Sequence, residues 1–389
     1  MSKNDCCPQP EPETPCCPTN KDGTECCPPV QSSEPSCAEV ADDRPGYKLW
    51  PFVCGWTTAS GQQIPKVATR LTATDIAGRW QMRWGFGRTR YSIAPGLYAI
   101  GTPSGDSPVL VTANYKMTFD ILRRDIYGHD AWILVIDTKG INVWCAAGKG
   151  TFSTDEIVHQ VKRVKLQDVV KHRTLILPQL GAPGVAAHEV AKACGFKVVY
   201  GPVRSSDLPE FIDTGNKASP QMRRVTFGLV DRLVLTPVEL VHMWKHILYS
   251  IVALFLVGGI GPEIFSLSAA WSRGGAAVAT GIMALLTGAV VTPLLLPWVP
   301  GRAFAKKGAI TGLAIGLAAS LIFADTLGWL NTLALIIATA TISSWCAMHF
   351  TGSSTFTSPS GVEKEMRQAI PAQAAALLVG ALCWLAAAF

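Results

Sequence analysis

Apolar stretches of two lengths divide the chain at about residue 240. Before that point short apolar runs alternate with helical patterns, and after it the apolar runs are long enough to cross a bilayer. Short runs alternating with helices predict an α/β domain with a mostly parallel sheet. We therefore predict a disordered tail over residues 1–45, an α/β domain over 46–240, and an all-α transmembrane domain with five helices over 241–389.

The α/β domain is predicted to begin with an antiparallel ribbon over residues 80–98, which are rich in Arg, Tyr and Trp. Strands are expected at 107–113, 132–137, 174–177, 196–200 and 225–236, and helices at 115–127, 154–165, 185–194 and 206–213. The carboxyl ends of parallel strands meet at one edge of a sheet, where ligands bind in open α/β folds. The loops after the first four strands should therefore form one wide floor.

Three of those four loops consist of small or turn-forming residues. Ordinary turns in α/β units use the same residue types, so such loops alone do not identify a site. Four loops at the same edge of the sheet, together with a lone cysteine, favour a ligand site. The residues are Thr112, Ala113 and Asn114, then Gln179, Leu180, Gly181, Ala182, Pro183 and Gly184, and then Gly201, Pro202, Val203 and Arg204.

The remaining loop carries Cys145 in a predicted short helical turn. Its small neighbours would let a large flat ligand approach the backbone closely, and a thiolate is a strong donor to a soft metal. The alternative is a thiol that is merely buried after a strand. A phosphate loop is disfavoured, because Val143 stands where that motif needs glycine. The residues around Cys145 are Asn142, Val143, Trp144, Ala146, Ala147, Gly148 and Lys149.

Seven of the twelve cysteines precede residue 40, and three Cys-Cys-Pro triplets recur every ten residues. Almost no aliphatic residues occur there, so the tail is predicted to be disordered. Vicinal thiols could capture soft ions such as Hg(II), or could simply be oxidisable thiols on a flexible tail. No secretory signal pattern precedes them, which favours a reducing, cytoplasmic location. The thiols are Cys6, Cys7, Cys16, Cys17, Cys26 and Cys27.

Five apolar segments without Asp, Glu, Lys or Arg lie at residues 247–260, 274–297, 308–324, 327–350 and 371–389. Roughly twenty apolar residues span a bilayer, so we predict five spans in a cytoplasmic (inner) membrane. Basic residues lie between the second and third spans and between the fourth and fifth, which places the front domain in the cytoplasm and Phe389 outside. Charge-free spans favour anchoring over a charged transport pathway. The net charge of +6 lies largely beside these segments and requires no nucleic acid.

The segment from Asn142 to Lys149 resembles the cap-helix signature of the mercury-methylating corrinoid proteins. The resemblance covers about residues 47–389, because that family also has a corrinoid domain followed by five membrane spans. It implies a Rossmann-like corrinoid-binding domain, similar to that of the corrinoid iron–sulfur protein of the acetyl-CoA pathway. The cysteine cluster that binds iron–sulfur in the latter protein is not found in this sequence.

The resemblance also implies a function, a cofactor and partners. A cobalamin-type corrinoid would bind with its own base displaced and with Cys145 as the lower axial ligand to cobalt, cradled by the loops named above. Methyl transfer from methylcobalt(III) to Hg(II) would form methylmercury. The implied partners are a ferredoxin-like electron donor with two four-iron–four-sulfur clusters and a methyl-pterin-dependent methyl donor system. The alternatives are a corrinoid methyl carrier for another acceptor, as in an acetyl-CoA-type pathway, and a membrane thiol-based metal-binding protein.

Overall fold

A computed structural model describes residues 50–87, 90–350 and 359–389. Seven strands form one sheet in the order β1-β2-β3-β5-β4-β6-β7. Their bounds are β1 Val53–Ala59, β2 Gln62–Val67, β3 Gly96–Ile100, β4 Val109–Ala113, β5 Ala131–Ile136, β6 Thr174–Leu177 and β7 Lys197–Tyr200.

Nine helices precede the long apolar ones in the described part of the chain. Two 3-10 turns, Gln179–Gly184 and Ser205–Asp207, lie among them. The helices are α1 Ala73–Arg83, α2 Lys116–Asp125, α3 Val143–Gly148, α4 Thr154–Arg163, α5 Leu166–Val169, α6 Ala187–Cys194, α7 Leu208–Asp213, α8 Leu229–Leu233 and α9 Thr236–His242.

The predicted mostly parallel sheet with flanking helices is confirmed. Strands β5, β4, β6 and β7 are parallel neighbours, while β3 pairs with β5 in the antiparallel sense and β1 pairs with β2 as a hairpin. The chain adds β5 on one side of β4 and then crosses to add β6 on the other side. Such a reversal leaves a crevice at the carboxyl ends of the two strands, which is where α/β sheets bind ligands.

Every residue of β3, β4 and β5 is buried, because helices cover both faces of the sheet. On one face α4 and α6 contribute Ile157, Val161 and Val190 to a large apolar cluster. On the other face α2 contributes Phe119 and Leu122 to a second cluster. Continuous apolar strands of this kind are expected for a parallel sheet that is covered on both sides.

Two predicted elements are wrong. Residues 80–98 are not a ribbon, since they contain the end of α1, a loop and the start of β3, and residues 225–236 contain α8 and not a strand. The β1–β2 hairpin was not predicted, although Ser60 and Gly61 both have positive φ at its turn, as a tight hairpin requires. Helix α1 begins with a capping box in which the Thr72 hydroxyl accepts from Asp75 N at 3.3 Å and Asp75 Oδ2 accepts from Thr72 N at 3.0 Å.

A buried ion cluster joins α1 to α2. Lys116 Nζ lies 2.7 Å from Asp75 and 2.6 Å from Asp120, and Arg123 Nη2 lies 2.8 Å from Asp75 and 2.9 Å from Asp120. Burial alone would raise the pKa of Asp75, but the hydrogen bond from Lys116 and the charge of Arg123 lower it to about 2. Two positive and two negative groups therefore compensate one another away from water.

The last part of the chain is a group of long apolar helices. Four of them are long and apolar enough to cross a membrane, and a fifth span results if α8–α9 and α10, which meet at a bend of 62°, count as one. A small hairpin, β8 Ile260–Gly261 and β9 Ile264–Phe265, follows the first of them. The helices are α10 Trp244–Gly258, α11 Leu267–Leu295, α12 Phe304–Leu327, α13 Trp329–His349 and α14 Pro359–Ala386.

The predicted uncharged segments lie within longer helices that include charged residues near their ends: α12 includes Lys306 and Lys307, and α14 includes Glu363, Lys364, Glu365 and Arg367. The same is true of α11. This helix begins earlier than predicted and includes Arg273, whose guanidinium donates to the carbonyl oxygens of Trp384 at 2.8 Å and Ile260 at 3.2 Å. The same guanidinium lies 5.0 Å from the centre of the Trp384 ring. These partners lie at the end of α14 and just after α10, so Arg273 joins three apolar helices at one end of the group.

Candidate functional site

A cavity of about 340 Å³ lies at the carboxyl edge of the sheet, between β4 and β6. Two larger cavities of about 650 and 460 Å³ lie among the apolar helices, where lipid chains would fill them, so size alone does not identify the site. The cavity between β4 and β6 lies at the reversal of strand order. It brings together eight residues that the sequence predicted: Thr112, Asn142, Val143, Trp144, Leu180, Gly201, Pro202 and Val203.

One wall of the cavity was not predicted. Met117, Thr118 and Ile121 of α2 line it, together with Pro178 and Ser205. The signal was present in the sequence, because positions 117, 118 and 121 share one face of a helix that starts directly after the Thr112 loop. The cavity is therefore bounded by a helix face as well as by loops.

Helix α3 holds Cys145 at the edge of this cavity. The Asn142 side-chain oxygen accepts from Cys145 N at 2.9 Å, which caps the helix start. Val143 is buried, whereas Trp144 is 42% exposed and lines the cavity. Cys145 is half-buried and follows Trp144, but it does not itself line the cavity. Gly148 and Lys149, which flank Cys145 on the helix surface, are exposed, whereas Ala146 and Ala147 are buried, so Cys145 lies on the outer side of the helix.

The inner side of α3 packs against the Gln179–Gly184 turn, so several predicted contact residues serve packing. Ala146 is fully buried. A Cβ on Gly181 would lie 2.6 Å from the Phe152 ring, and one on Gly184 would lie 3.0 Å from the Ala147 Cα. Gly184 faces backbone atoms of Phe152 and Ala147, and Gly181 faces the buried Phe152 ring, so neither position has space for a larger residue. A Cβ on Gly148, by contrast, would meet no atom within 4 Å.

Asn114 organises the loop that leads into α3. Its Oδ1 accepts hydrogen bonds from Thr138 N at 3.1 Å, Thr138 Oγ1 at 2.9 Å and Gly140 N at 3.0 Å. Its Nδ2 donates to Asp137 Oδ1 at 3.0 Å. The side chain is buried, its oxygen accepts three hydrogen bonds, and one of its two amide hydrogens is donated to Asp137. Asn114 therefore positions residues 137–142, the loop that leads into α3 (the cap-helix loop).

The carboxylate of Asp137 completes this loop. Burial on its own would raise the pKa of Asp137, but hydrogen bonds from the Lys139 side chain and backbone and from Asn114 hold that pKa below its usual value. At the start of α4 the Ser153 hydroxyl accepts from Glu156 N at 3.3 Å, whereas Glu156 Oε1 accepts from Asp137 N at 2.9 Å. Glu156 thereby links α4 to the cap-helix loop.

The other predicted contact residues point to different partners or lie away from the cavity. Gln179 Oε1 accepts from Arg223, and Arg204 Nη2 contacts Asp231 at 2.9 Å and also Thr226. The tail cysteines lie outside the described residues. The predicted residues that do not line the cavity are Ala113, Asn114, Cys145, Ala146, Ala147, Gly148, Lys149, Gln179, Gly181, Ala182, Pro183, Gly184 and Arg204.

Replacing Asn114 by alanine is expected to loosen the start of α3. The change leaves the backbone N–H groups of Thr138 and Gly140 without their acceptor, whereas the Thr138 hydroxyl keeps the Ile141 carbonyl at 2.6 Å. An orphaned buried donor costs about 1–3 kcal/mol. We expect faster amide exchange over 137–148 than in the unaltered protein, measured by mass spectrometry. The control is Ser205→Ala, which alters the cavity wall away from that loop. Equal exchange in all three proteins would contradict this role for Asn114.

The single thiol at the site fits a metal ion whose other ligands are supplied by a cofactor. Cys145 is a free thiol. No group of three or more His, Cys, Asp or Glu side chains able to hold a bare metal ion occurs within residues 50–87, 90–350 and 359–389. A single soft donor on the open side of a helix, beside a crevice, suits one axial position of a macrocycle-bound metal.

Comparison with known proteins places the similarity on this same domain. The family model for the CO dehydrogenase/acetyl-CoA synthase delta subunit matches residues 87–212. The acetyl-CoA decarbonylase/synthase complex subunit gamma of Methanopyrus kandleri is 36% identical over 128 residues, which cover 32% of this chain and 27% of the relative. The corresponding subunit of Archaeoglobus fulgidus is 31% identical over 128 residues, with the same shares.

A third relative extends the pattern. The gamma subunit of Methanosarcina acetivorans is 32% identical over 130 residues, again 32% of this chain and 27% of the relative. The chain thus spans about a quarter of the length of the curated relatives that it matches. The residues matched by the family model include α3 and the four loops of the site, and they end before the apolar helices.

Proposed function

We propose that this chain is a membrane-bound, corrinoid-dependent methyl-transfer protein in which the Cys145 thiolate is the lower axial ligand to cobalt. The observation that carries the proposal is a free thiol on the open side of α3, beside a crevice at the reversal of strand order. Similarity to subunits of acetyl-CoA decarbonylase/synthase complexes supports the corrinoid and the methyl group. The apolar helices support a membrane location.

A bound corrinoid would supply a cobalt centre that holds a methyl group and releases it. Cys145 would ligate that metal from below, and the Asn142 cap would fix where the thiolate stands. The open space over Gly148 would let a flat ring lie close to the helix backbone. Thr112, Gly201 and the cavity wall would hold the ring edge and the displaced nucleotide tail. Asn114 would act indirectly, by positioning the cap-helix loop.

We propose Hg(II), delivered as a thiolate complex, as the methyl acceptor. The resemblance of residues 142–149 to the mercury-methylating proteins, followed by apolar helices, supports this acceptor. An anionic sulfur opposite the methyl group donates electron density that favours departure of methyl with both bonding electrons. Hg(II) is a soft electrophile suited to accept such a group.

A carbon acceptor of an acetyl-CoA-type pathway is the second candidate. The comparisons favour it, because the relatives named above are subunits of acetyl-CoA decarbonylase/synthase complexes. Both candidates use the same cofactor and the same thiol ligand, and they differ only in the group that receives methyl.

An acceptor competition experiment separates the two candidates. The full-length protein would be loaded with isotopically labelled methylcobalamin in detergent and offered either Hg(II) complexed by a thiol or a reduced acetyl-CoA synthase. We expect labelled methylmercury and stoichiometric loss of the label from the protein. Transfer to the synthase without transfer to Hg(II) would establish the second candidate instead.

The proposed partners follow from the electron count. When methyl leaves with both bonding electrons, the protein has to regain two electrons before it can accept another methyl cation equivalent. We propose that a ferredoxin-like donor with two four-iron–four-sulfur clusters supplies those electrons and that a methyl-pterin-dependent system supplies methyl. The bilayer would be the cytoplasmic membrane, with the α/β domain inside and Phe389 outside.

We propose that the Cys-Cys-Pro repeats capture Hg(II) for the site. Vicinal thiolates bind soft ions strongly, so deletion of residues 1–40 is expected to lower the methylation rate severalfold at limiting Hg(II) and much less at saturating Hg(II). Corrinoid content should remain unchanged in the truncated protein. Identical Hg(II) dose–response curves with and without the tail would remove this role.

A further inference from the structure

Helix α1 turns an apolar stripe outward. Ile76, Trp80 and Trp84 follow one another at intervals of four residues and are 46%, 57% and 45% exposed. Phe86, two residues further on, is 54% exposed. The opposite side of α1 is held by the buried ion cluster through Asp75. The helix is therefore firmly attached to the domain while its large apolar side chains face outward.

The same segment is strongly basic. Residues 76–105 contain no Asp or Glu but include four arginines, at positions 79, 83, 88 and 90. Arg79 and Arg83 are half-buried in α1, and Arg90 is exposed just after the aromatic residues. The segment therefore combines exposed apolar side chains with a positive charge that no acidic residue offsets. Such a surface complements a layer of anionic headgroups above acyl chains.

This surface adjoins the point where the chain turns into the apolar helices. A Cβ on Gly85 would lie 3.3 Å from Val238 Cγ2 and 3.5 Å from His242 Nε2, so the end of α1 packs on α9. Helix α9 leads directly into α10 across the 62° bend. If α10 crosses the bilayer along its normal, α9 lies closer to the membrane plane than to the normal.

Helix α8 continues the exposed surface. Leu229, Val230 and Leu233 are all exposed, while Leu235 packs against Leu296 and neighbouring residues at the ends of α11, α12 and α13. The end of α1, helix α8 and the start of α10 thus all contact α9, beside the point where the chain enters the apolar helices. Trp244 at the start of α10 is also exposed, in the position that aromatic residues favour at a bilayer surface.

We propose that the exposed side of α1, Phe86 and Arg90 bind the anionic headgroup layer of the membrane that holds the chain's own apolar helices. The α/β domain would then rest on the bilayer, held by Trp80, Trp84 and Arg90. This inference does not depend on the cofactor or on the methyl acceptor. It rests on the exposed stripe, its charge and its continuity with the membrane-entry helices.

Hydroxyl-radical footprinting of the full-length protein tests this surface. The protein would be placed in nanodiscs of phosphatidylcholine alone or of equal parts phosphatidylcholine and phosphatidylglycerol, and side-chain oxidation would be read by mass spectrometry. We expect oxidation of Trp80, Trp84 and Phe86 to fall severalfold when the anionic lipid is present. Tyr127, which is exposed at the far end of α2, should be oxidised equally in both.

Two charge-matched variants sharpen the test. Arg90→Glu should lower the lipid-dependent protection, whereas Lys197→Glu, an equally exposed charge reversal near the β7 edge of the sheet, should retain it. Oxidation of the three aromatic residues that is the same in both lipids would overturn the proposal. So would protection that rises with protein concentration in the absence of anionic lipid, because that result would assign the surface to a second copy.

Discussion

Replacing Cys145 by alanine is expected to abolish methyl transfer and to change the visible spectrum of the bound cobalt. The alanine side chain has no donor atom, so the metal would lose its protein ligand while the four loops and the cavity wall remain. The thiol lies on the half-buried outer side of α3, outside the core clusters. The free energy of unfolding should therefore change by no more than about 0.5 kcal/mol, as for most surface substitutions.

A second cysteine provides the control for this change. Cys194→Ala removes a thiol of similar burial that donates to the Val190 carbonyl within α6, at 3.2 Å. Its spectrum and its transfer rate should match those of the unaltered protein. An unchanged spectrum and rate in Cys145→Ala would remove the ligand role, even if the protein still bound a corrinoid.

Replacing Arg123 by methionine is expected to lower the free energy of unfolding of the α/β domain by about 3–5 kcal/mol. The side chain is fully buried and contacts both Asp75 and Asp120, so its removal leaves two buried carboxylates with Lys116 as their remaining partner. The Arg123 guanidinium also donates to the Ala68 carbonyl at 2.6 Å, and that bond is lost too. Urea unfolding of the full-length protein in detergent, followed by limited proteolysis of the α/β domain, measures the change.

The next residue along the helix is the matched control. The Arg124 side chain is 45% exposed and pairs with Asp125, whose carboxylate is largely buried and also accepts from the Ser205 hydroxyl. Because Arg124 itself is solvated and Asp125 keeps that second partner, Arg124→Met should shift the free energy of unfolding by less than about 1 kcal/mol. Equal destabilisation by the two substitutions would show that the buried ion cluster does not carry this part of the fold.

The central strands could be predicted from the sequence because they are buried on both faces. A run such as Ala131–Ile136 is apolar at every position, so its strand does not depend on recognising an alternating pattern. The position of the four loops at one edge of the sheet then followed from the parallel arrangement. The hairpin at Gln62–Val67 was missed, because its polar residues and Pro65 give no such signal.

The site could be predicted only in part, for physical reasons. Sequence placed Asn114 at a strand end, but it could not show that both polar atoms of this side chain are used by Thr138, Gly140 and Asp137. The glycines of the Gln179–Gly184 turn suggested a cradle, whereas Gly184 allows close packing against Phe152 and Ala147. Contacts across the fold decide both roles, and a single sequence does not contain them.

The segment 80–98 shows the opposite error. Its Trp, Tyr and Arg content suggested an exposed ribbon, but the capping box at Thr72 starts a helix earlier in the chain. Local hydrogen bonding at the helix start outweighed the strand preference of the aromatic residues. The exposure of Trp80 and Trp84 then follows from a helix whose inner side buries Asp75, within the ion cluster, and Met82.

The most direct test of the central proposal is a spectral titration of the purified full-length protein with cobalamin, under reducing conditions and in detergent. We predict saturable binding of one corrinoid per chain, with a spectrum that shows displacement of the nucleotide base and a thiolate–cobalt signature absent from Cys145→Ala. Absence of corrinoid binding would contradict the proposal and would favour a membrane thiol-based metal-binding protein.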